Sequence, residues 1–231
     1  KHKIILCSDD IYCGLHYQGN HISIAKFYLE GTIISGGLSK WCGAGGWRLG
    51  TFTFPKSLSW LQRAMAVMAS ETFTSTSAPI QYAGVRAFKR GNEIEEYLWR
   101  CRWILDKLGK KLSDMLNKDG IYTPNPDGAF YCFPDFSSYR EKLKSKGIHT
   151  SNELCTKLLE DTGVAILPGE VFGRPAEELT ARIAYVDFDG NRAVNAALHM
   201  NNKDEINDKF ISTYCGDLVK AVQLICSWID G

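Results

Sequence analysis

Ile94, Leu98, Cys101, Leu105, Leu108, Leu112 and Met115 recur at intervals of three or four residues. Only a helix brings residues so spaced onto one face, so the chain from about 93 to 116 must be a long helix with a continuous apolar stripe. Asn92, with Glu95 three positions on, is the expected capping pair. Gly120 and the loop TPNPDG (123–128) stop the helix. Such a stripe needs partners, and the flanking sequence offers two kinds.

Before the helix, KIILC (3–7) and GTIISGG (31–37) are short apolar runs of the sort buried parallel strands require. RLGTFTFP (48–55) alternates and is closed by Pro55. Leu58, Leu61, Met65 and Met68 predict a helix over 57–70, and a second is expected over 78–90, starting near Pro79. After the long helix, AFYCF (129–133), VAILP (164–168) and ARIAYVDF (181–188) read as strands. Thr150 with Glu153 caps a helix that ends before Gly163. A last helix is expected over about 205–229, with Ile206, Phe210, Tyr214, Leu218, Val222 and Ile225 inward. This divides the chain into an α/β layer over 1–91, a joining helix over 92–119 and an α+β unit over 120–231.

Composition narrows the function. Of 231 residues, 45% are hydrophobic and 23% charged, which argues against wholesale disorder. Lys+Arg 27 against Asp+Glu 26 leaves +1, so neither a nucleic-acid partner nor a membrane surface is indicated. No apolar run reaches the ~18 residues of a membrane span. The opening KHKIILCSDD has too short an apolar part for a signal peptide and reads as a strand. Eight cysteines form no C-x-x-C pair, and the five histidines are scattered, so no metal site is expected. The cysteines read as free, mostly buried thiols, which points to a reducing compartment, the cytoplasm or an organelle matrix.

Four segments carry chemistry. In CSDDIYCGL (7–15), Asp9 sits just past an apolar strand with Tyr12 three residues on. The carboxyl ends of parallel strands are where α/β folds place ligands, although a capping Asp is the simpler use of this residue alone. In SGGLSKWCGAGGWRLG (35–50), Lys40 follows a strand and a glycine pair, and Arg48 comes eight residues later at the next strand. A lysine there can be desolvated into a nucleophile for carbonyl carbon, or can be an ordinary surface lysine. The glycines match neither a P-loop nor a dinucleotide fingerprint. VAILPGEVFG (164–173) supplies a structured turn. In ARIAYVDFD (181–189), Arg182 opens an apolar strand. Its planar fork suits a carboxylate, from a ligand or from an internal acid.

Taken together and in this order, D-x-x-Y, S-K with R eight residues on, P-G-x-x-F-G and R-I-A-Y resemble the class I/II aminotransferases. These are the aspartate aminotransferase-like, fold type I enzymes that use pyridoxal 5′-phosphate (PLP). The resemblance covers essentially the whole chain but only the C-terminal part of the family's pattern. It implies part of the large-domain, mainly parallel sheet (1–91), the interdomain helix (92–119) and the small α+β domain (120–231). It implies that Lys40 forms a Schiff base with the cofactor and moves the proton at Cα. By the same resemblance Asp9 pairs with the pyridinium nitrogen, Tyr12 bonds the ring oxygen and Arg48 clamps the cofactor phosphate. Arg182 then holds the substrate α-carboxylate. Many members carry a hydroxyl residue three positions before the lysine as a further phosphate ligand. Here that position is Gly37, with Ser39 or Ser35 as substitutes.

The implied activity is transfer of an amino group between an amino acid, aspartate- or aromatic-type favoured, and a 2-oxo acid, by a homodimer. Thr74, Ser75 and Thr76 fall where relatives approach the partner subunit, or are a hydroxyl-rich helix start. The family's N-terminal region has no counterpart before the D-x-x-Y strand, so the resemblance implies a fragment. On that expectation the 1–90 segment has a bare sheet edge and is poorly stable alone or completed by another chain. The alternatives are a catalytically incompetent piece of such an enzyme and another fold type I activity, a β-lyase or a cyclopropane-forming synthase. A nucleotide-binding domain has only the glycine-rich loop in its favour.

Overall fold

The computed structural model describes residue 2 and residues 4–231. The chain divides into two compact units, Lys1–Trp99 and Arg100–Gly231.

The first unit is built on a three-stranded sheet. Strands β1 (Leu6–Asp9), β2 (Thr32–Gly37) and β3 (Gly50–Thr53) lie in that order. β1 runs parallel to β2, with Asp9 opposite Ser35, and β3 runs antiparallel to it, with Gly37 opposite Gly50. Three single 3-10 turns carry the chain from β1 to β2. β1 begins at Leu6 rather than at 3, and Lys3 lies outside the described residues. Nor is it the buried strand the apolar run suggested. Ile4 and Ile5 are exposed, and β1 alternates half-buried with exposed residues, because it is an edge strand with one neighbour.

Helix α1 (Ser59–Thr72) follows a single turn at Lys56–Leu58. Leu58 is buried, Leu61 and Met65 are half-buried and Met68 is exposed, so the helix buries none of its own residues fully. Helix α2 (Ala78–Phe88) has Pro79 in its first turn, as expected. Helix α3 (Asn92–Lys118) carries the predicted stripe, with Leu98, Leu105, Leu108 and Leu112 all buried. Its start differs from the expected capping pair. The Gly91 carbonyl accepts from Ile94 and Glu95 N–H. Asn92 is thereby the first helical residue, and the Glu95 carboxylate pairs with Arg90 at 2.9 Å instead.

The second unit has β4 (Tyr131–Cys132), α4 (Arg140–Ser145), α5 (Ser151–Thr162), β5 (Leu167–Pro168), β6 (Ala181–Ala184), α6 (Gly190–Ala197), α7 (Asp208–Tyr214) and α8 (Gly216–Asp230). Its strands are shorter than the apolar runs and lie antiparallel in the order β4-β6-β5. The predicted capping box is present: Glu153 N–H donates to Thr150 Oγ1 at 3.3 Å and Thr150 N–H to Glu153 Oε2 at 3.0 Å. Gly163 ends α5 at φ 76°. The single last helix expected over 205–229 is two. Asn207 caps α7 by accepting from Phe210 N–H, and Cys215, at φ −127°, breaks the path before Gly216 restarts it. α4 and α6 had no expectation. Leu116, Phe136, Leu154, Leu158, Tyr185 and Ile225 are among the fully buried side chains of this unit.

No helix among the described residues is long and apolar enough to cross a membrane. All eight cysteines are free thiols, and four of them, Cys132, Cys155, Cys215 and Cys226, are buried. That is half, where most were expected.

Candidate active site

The parallel pairing of β1 with β2 decides what meets at their carboxyl ends. Asp9 closes β1, and its Oδ1 accepts from Ser35 Oγ–H at 2.9 Å across the strands and from Ile11 N–H at 3.3 Å. Two donors hold an exposed carboxylate in place as an acceptor. Its neighbour Asp10 is turned to other partners, Ser8 Oγ–H at 2.8 Å and His21 Nε2 at 3.5 Å. Three residues beyond Asp9, Tyr12 is half-buried. Three beyond the end of β2, so is Lys40, whose Nζ lies 5.7 Å from the Tyr12 ring centroid. The structure therefore gathers Asp9, Tyr12 and Lys40 at one end of one parallel strand pair, the place where open α/β sheets bind ligands. Ser39 is half-buried beside Lys40.

Arg48 lies in the turn before β3 rather than at its first position, since the strand starts at Gly50. It adopts the left-handed region at φ 57° and ψ 43°, uncommon for a residue with a Cβ. Its Nη1 donates to the Gly45 carbonyl at 2.8 Å, which fastens the guanidinium to its own loop. With Phe52, Phe73, Ser75, Thr76 and Ser77 it lines a cleft of about 610 Å³. Ser75 and Thr76 thus share a cleft with Arg48 of the same chain. Thr74, at φ 66°, does not line it.

Arg182 belongs to the second unit and has its own surroundings. On β6, Ala181 and Ile183 are buried, while Arg182 and Ala184 alternate onto the more open face. Tyr131, opposite Ala184, and Leu167, opposite Arg182, share that face. The Arg182 Cζ lies 4.4 Å from the Tyr131 ring centroid and 4.4 Å from that of Phe172. Its Nε is buried without a hydrogen-bond partner, and no acid among the described residues forms an ion pair with it. The internal salt bridge open at the sequence level is therefore not made. Phe172 belongs to the P-G-x-x-F-G motif, but Tyr131 was not singled out in the sequence. Its signal was its place in the strand candidate AFYCF.

Among the described residues, no three His, Cys, Asp or Glu side chains gather as a metal site. The donors suit an organic cofactor with a carbonyl, a ring nitrogen and an anionic group: an amine, a carboxylate acceptor, a phenol and a guanidinium.

Comparison with known proteins bears on the same residues. The family model for aminotransferase class I and II matches residues 1–195. The chain is 34% identical over 183 residues to an aspartate aminotransferase of Geobacillus stearothermophilus, covering 75% of this chain and 43% of that protein. It is 32% identical over 181 residues to an asparagine–oxo-acid transaminase of Streptococcus mutans, covering 76% and 44%. The crystal structure of an aromatic aminotransferase from Pyrococcus horikoshii superposes with a TM-score of 0.69 at 30% identity, over 85% of this chain and 50% of that one. The chain thus spans a little under half the length of the curated relatives it matches.

Proposed function

Because the chain belongs to the class I and II aminotransferases, we propose that it carries the cofactor-bonding lysine and the substrate-carboxylate arginine of a PLP-dependent enzyme. The reaction is transfer of an amino group between an amino acid and a 2-oxo acid. The observation that carries this reading is the meeting of Asp9, Tyr12 and Lys40 at the end of the β1–β2 pair.

Bound there, the cofactor supplies an electron sink for the charge left on the substrate Cα. Lys40 would hold the cofactor through its amine and, once the substrate amine has displaced it, would be the base that moves the proton at the substrate Cα. Asp9, already fixed as an acceptor by Ser35 and Ile11, receives the N–H of the ring nitrogen and keeps it protonated. Tyr12 donates to the ring oxygen. Arg48 and Ser39 hold the phosphate, and Ser35 is not available for that because its hydroxyl bonds Asp9. Arg182 pairs with the substrate α-carboxylate through its planar fork. In this reading residues 1–91 are part of the large domain, 92–119 the joining helix and 120–231 the small domain. The working form is a homodimer. Aspartate-type and aromatic-type donors are favoured, in keeping with the names of the relatives.

The test is an absorbance titration with pyridoxal 5′-phosphate, borohydride reduction and mass analysis of the Lys40 peptide. The cofactor mass is expected on Lys40, and Lys40→Ala is expected to lose both it and exchange between aspartate and 2-oxoglutarate. Fixation at another lysine, with Lys40 unmodified, would sink the reading.

A further inference from the structure

Arginine in a half-buried site needs compensation for lost hydration, and a carboxylate from the same chain is the usual supplier. A carboxylate partner would occupy the N–H donors. Arg182 is compensated differently. Tyr131 comes from the β4 side of β6 and Phe172 from the β5 side, each with its ring centroid 4.4 Å from the guanidinium carbon. Ring faces stabilise a cation electrostatically and accept no in-plane hydrogen bond. The charge is thus retained and the edge of the fork is left for something else. The buried, unpartnered Nε shows that no group among the described residues has taken that donor.

Both rings are held by the fold. Phe172 is set by the turn after β5, where Gly169 N–H donates to the Thr180 carbonyl at 2.8 Å. A Cβ at Gly169 would lie 2.0 Å from Thr180 Oγ1 and 3.1 Å from the Thr180 carbonyl oxygen, so any side chain there would have to displace Thr180. Phe133 stands edge-on to Phe172, with centroids 6.0 Å apart and planes at 78°. Tyr131 is fixed by its pairing with Ala184 and by Phe130, 4.7 Å away between centroids.

We infer that Tyr131 and Phe172 are positioning residues that fix the plane of the Arg182 guanidinium and leave its N–H donors unpaired for a planar carboxylate. This rests on Arg182 as the substrate-carboxylate group and goes beyond it, since it assigns the affinity of that group to two neighbours that need not touch the ligand. A fork fixed in advance loses less freedom on binding.

The experiment follows the Arg182 Nε–Hε signal of the full chain by NMR, assigned with Arg182→Lys, during titration with 2-oxoglutarate. Tyr131→Phe, which keeps the ring, is expected to bind within about twofold of the unaltered chain, and Tyr131→Leu at least about fivefold more weakly. The Arg182 signal of the leucine variant is also expected to lose its ring-induced shift before any ligand is added. Phe172→Leu, on the other ring, gives the same readouts where Tyr131→Leu does not fold. Equal affinity in all folded variants overturns the positioning role and leaves the reading of Arg182 intact. No response of the Arg182 signal in the unaltered chain overturns both.

Discussion

At the scale of single residues, Gly37 is explained by a close approach. It faces Gly50 across the β2–β3 pair, and a Cβ on it would meet the Leu49 carbonyl oxygen at 2.6 Å and Gly50 Cα at 3.2 Å. The hydroxyl residue that many relatives carry here has no room unless β3 moves. Ser35 is committed to Asp9, which leaves Ser39 as the hydroxyl beside Lys40. Gly37→Ser is therefore expected to destabilise the chain by about 1–3 kcal/mol, as overpacking does. Urea denaturation measures this, and an unchanged midpoint would refute the steric account. Asp9, Tyr12, Lys40, Arg48 and Arg182 were singled out as candidates from spacing and resemblance alone. The ring contacts of Arg182 were not, because Tyr131 and Phe172 are 51 and 10 residues away from it in sequence and only sheet pairing makes them neighbours.

At the scale of elements, local signals succeeded where the physics is local. The α5 capping box was readable because both of its hydrogen bonds lie within four residues. Thr150→Ala removes the side-chain acceptor and is expected to cost about 1 kcal/mol. A thermal melt checks it, and Thr150→Ser, which keeps the acceptor, should stay close to the unaltered chain. The expected cap at Asn92 failed because a nearby cation competed. Arg90 takes the Glu95 carboxylate and the Gly91 carbonyl opens the helix. The last helix was overestimated because its apolar spacing runs through a break. Phe210, Ile211, Leu218, Val222 and Ile225 are all buried although Cys215 interrupts the helical path. Periodicity reports which face is covered and is blind to a single departure in φ.

At the scale of the whole molecule, the two units differ in how much they bury. α1 has no fully buried residue, β1 is a bare edge, and Trp47, Trp60, Phe27, Phe73 and Tyr82 stand exposed in the first unit. The second unit buries a full set of helix and strand side chains. Burial pushes its Cys155, Cys215 and Cys226 thiols up to about 12. The fold thus favours the protonated thiols. Their contribution to stability is complete below about pH 9 and fades as pH rises toward 12. At neutral pH, backbone amides of β1 and α1 are expected to exchange well before those of α5 and α8. Cys7 should react with a thiol reagent at once, and the buried Cys132, Cys155, Cys215 and Cys226 only as the second unit opens. Uniform protection along the chain, with all thiols reacting in one step, would contradict this. By itself the sequence determined the helix stripes, the α5 cap and the order of the chemistry-bearing segments, since these depend on spacing along the chain. Only the tertiary structure decided that Asp9, Tyr12 and Lys40 share one strand end, that Ser35 belongs to Asp9, and that two rings bracket Arg182. Strand register and sheet order bring distant residues together, and neither is written in any local run of residues.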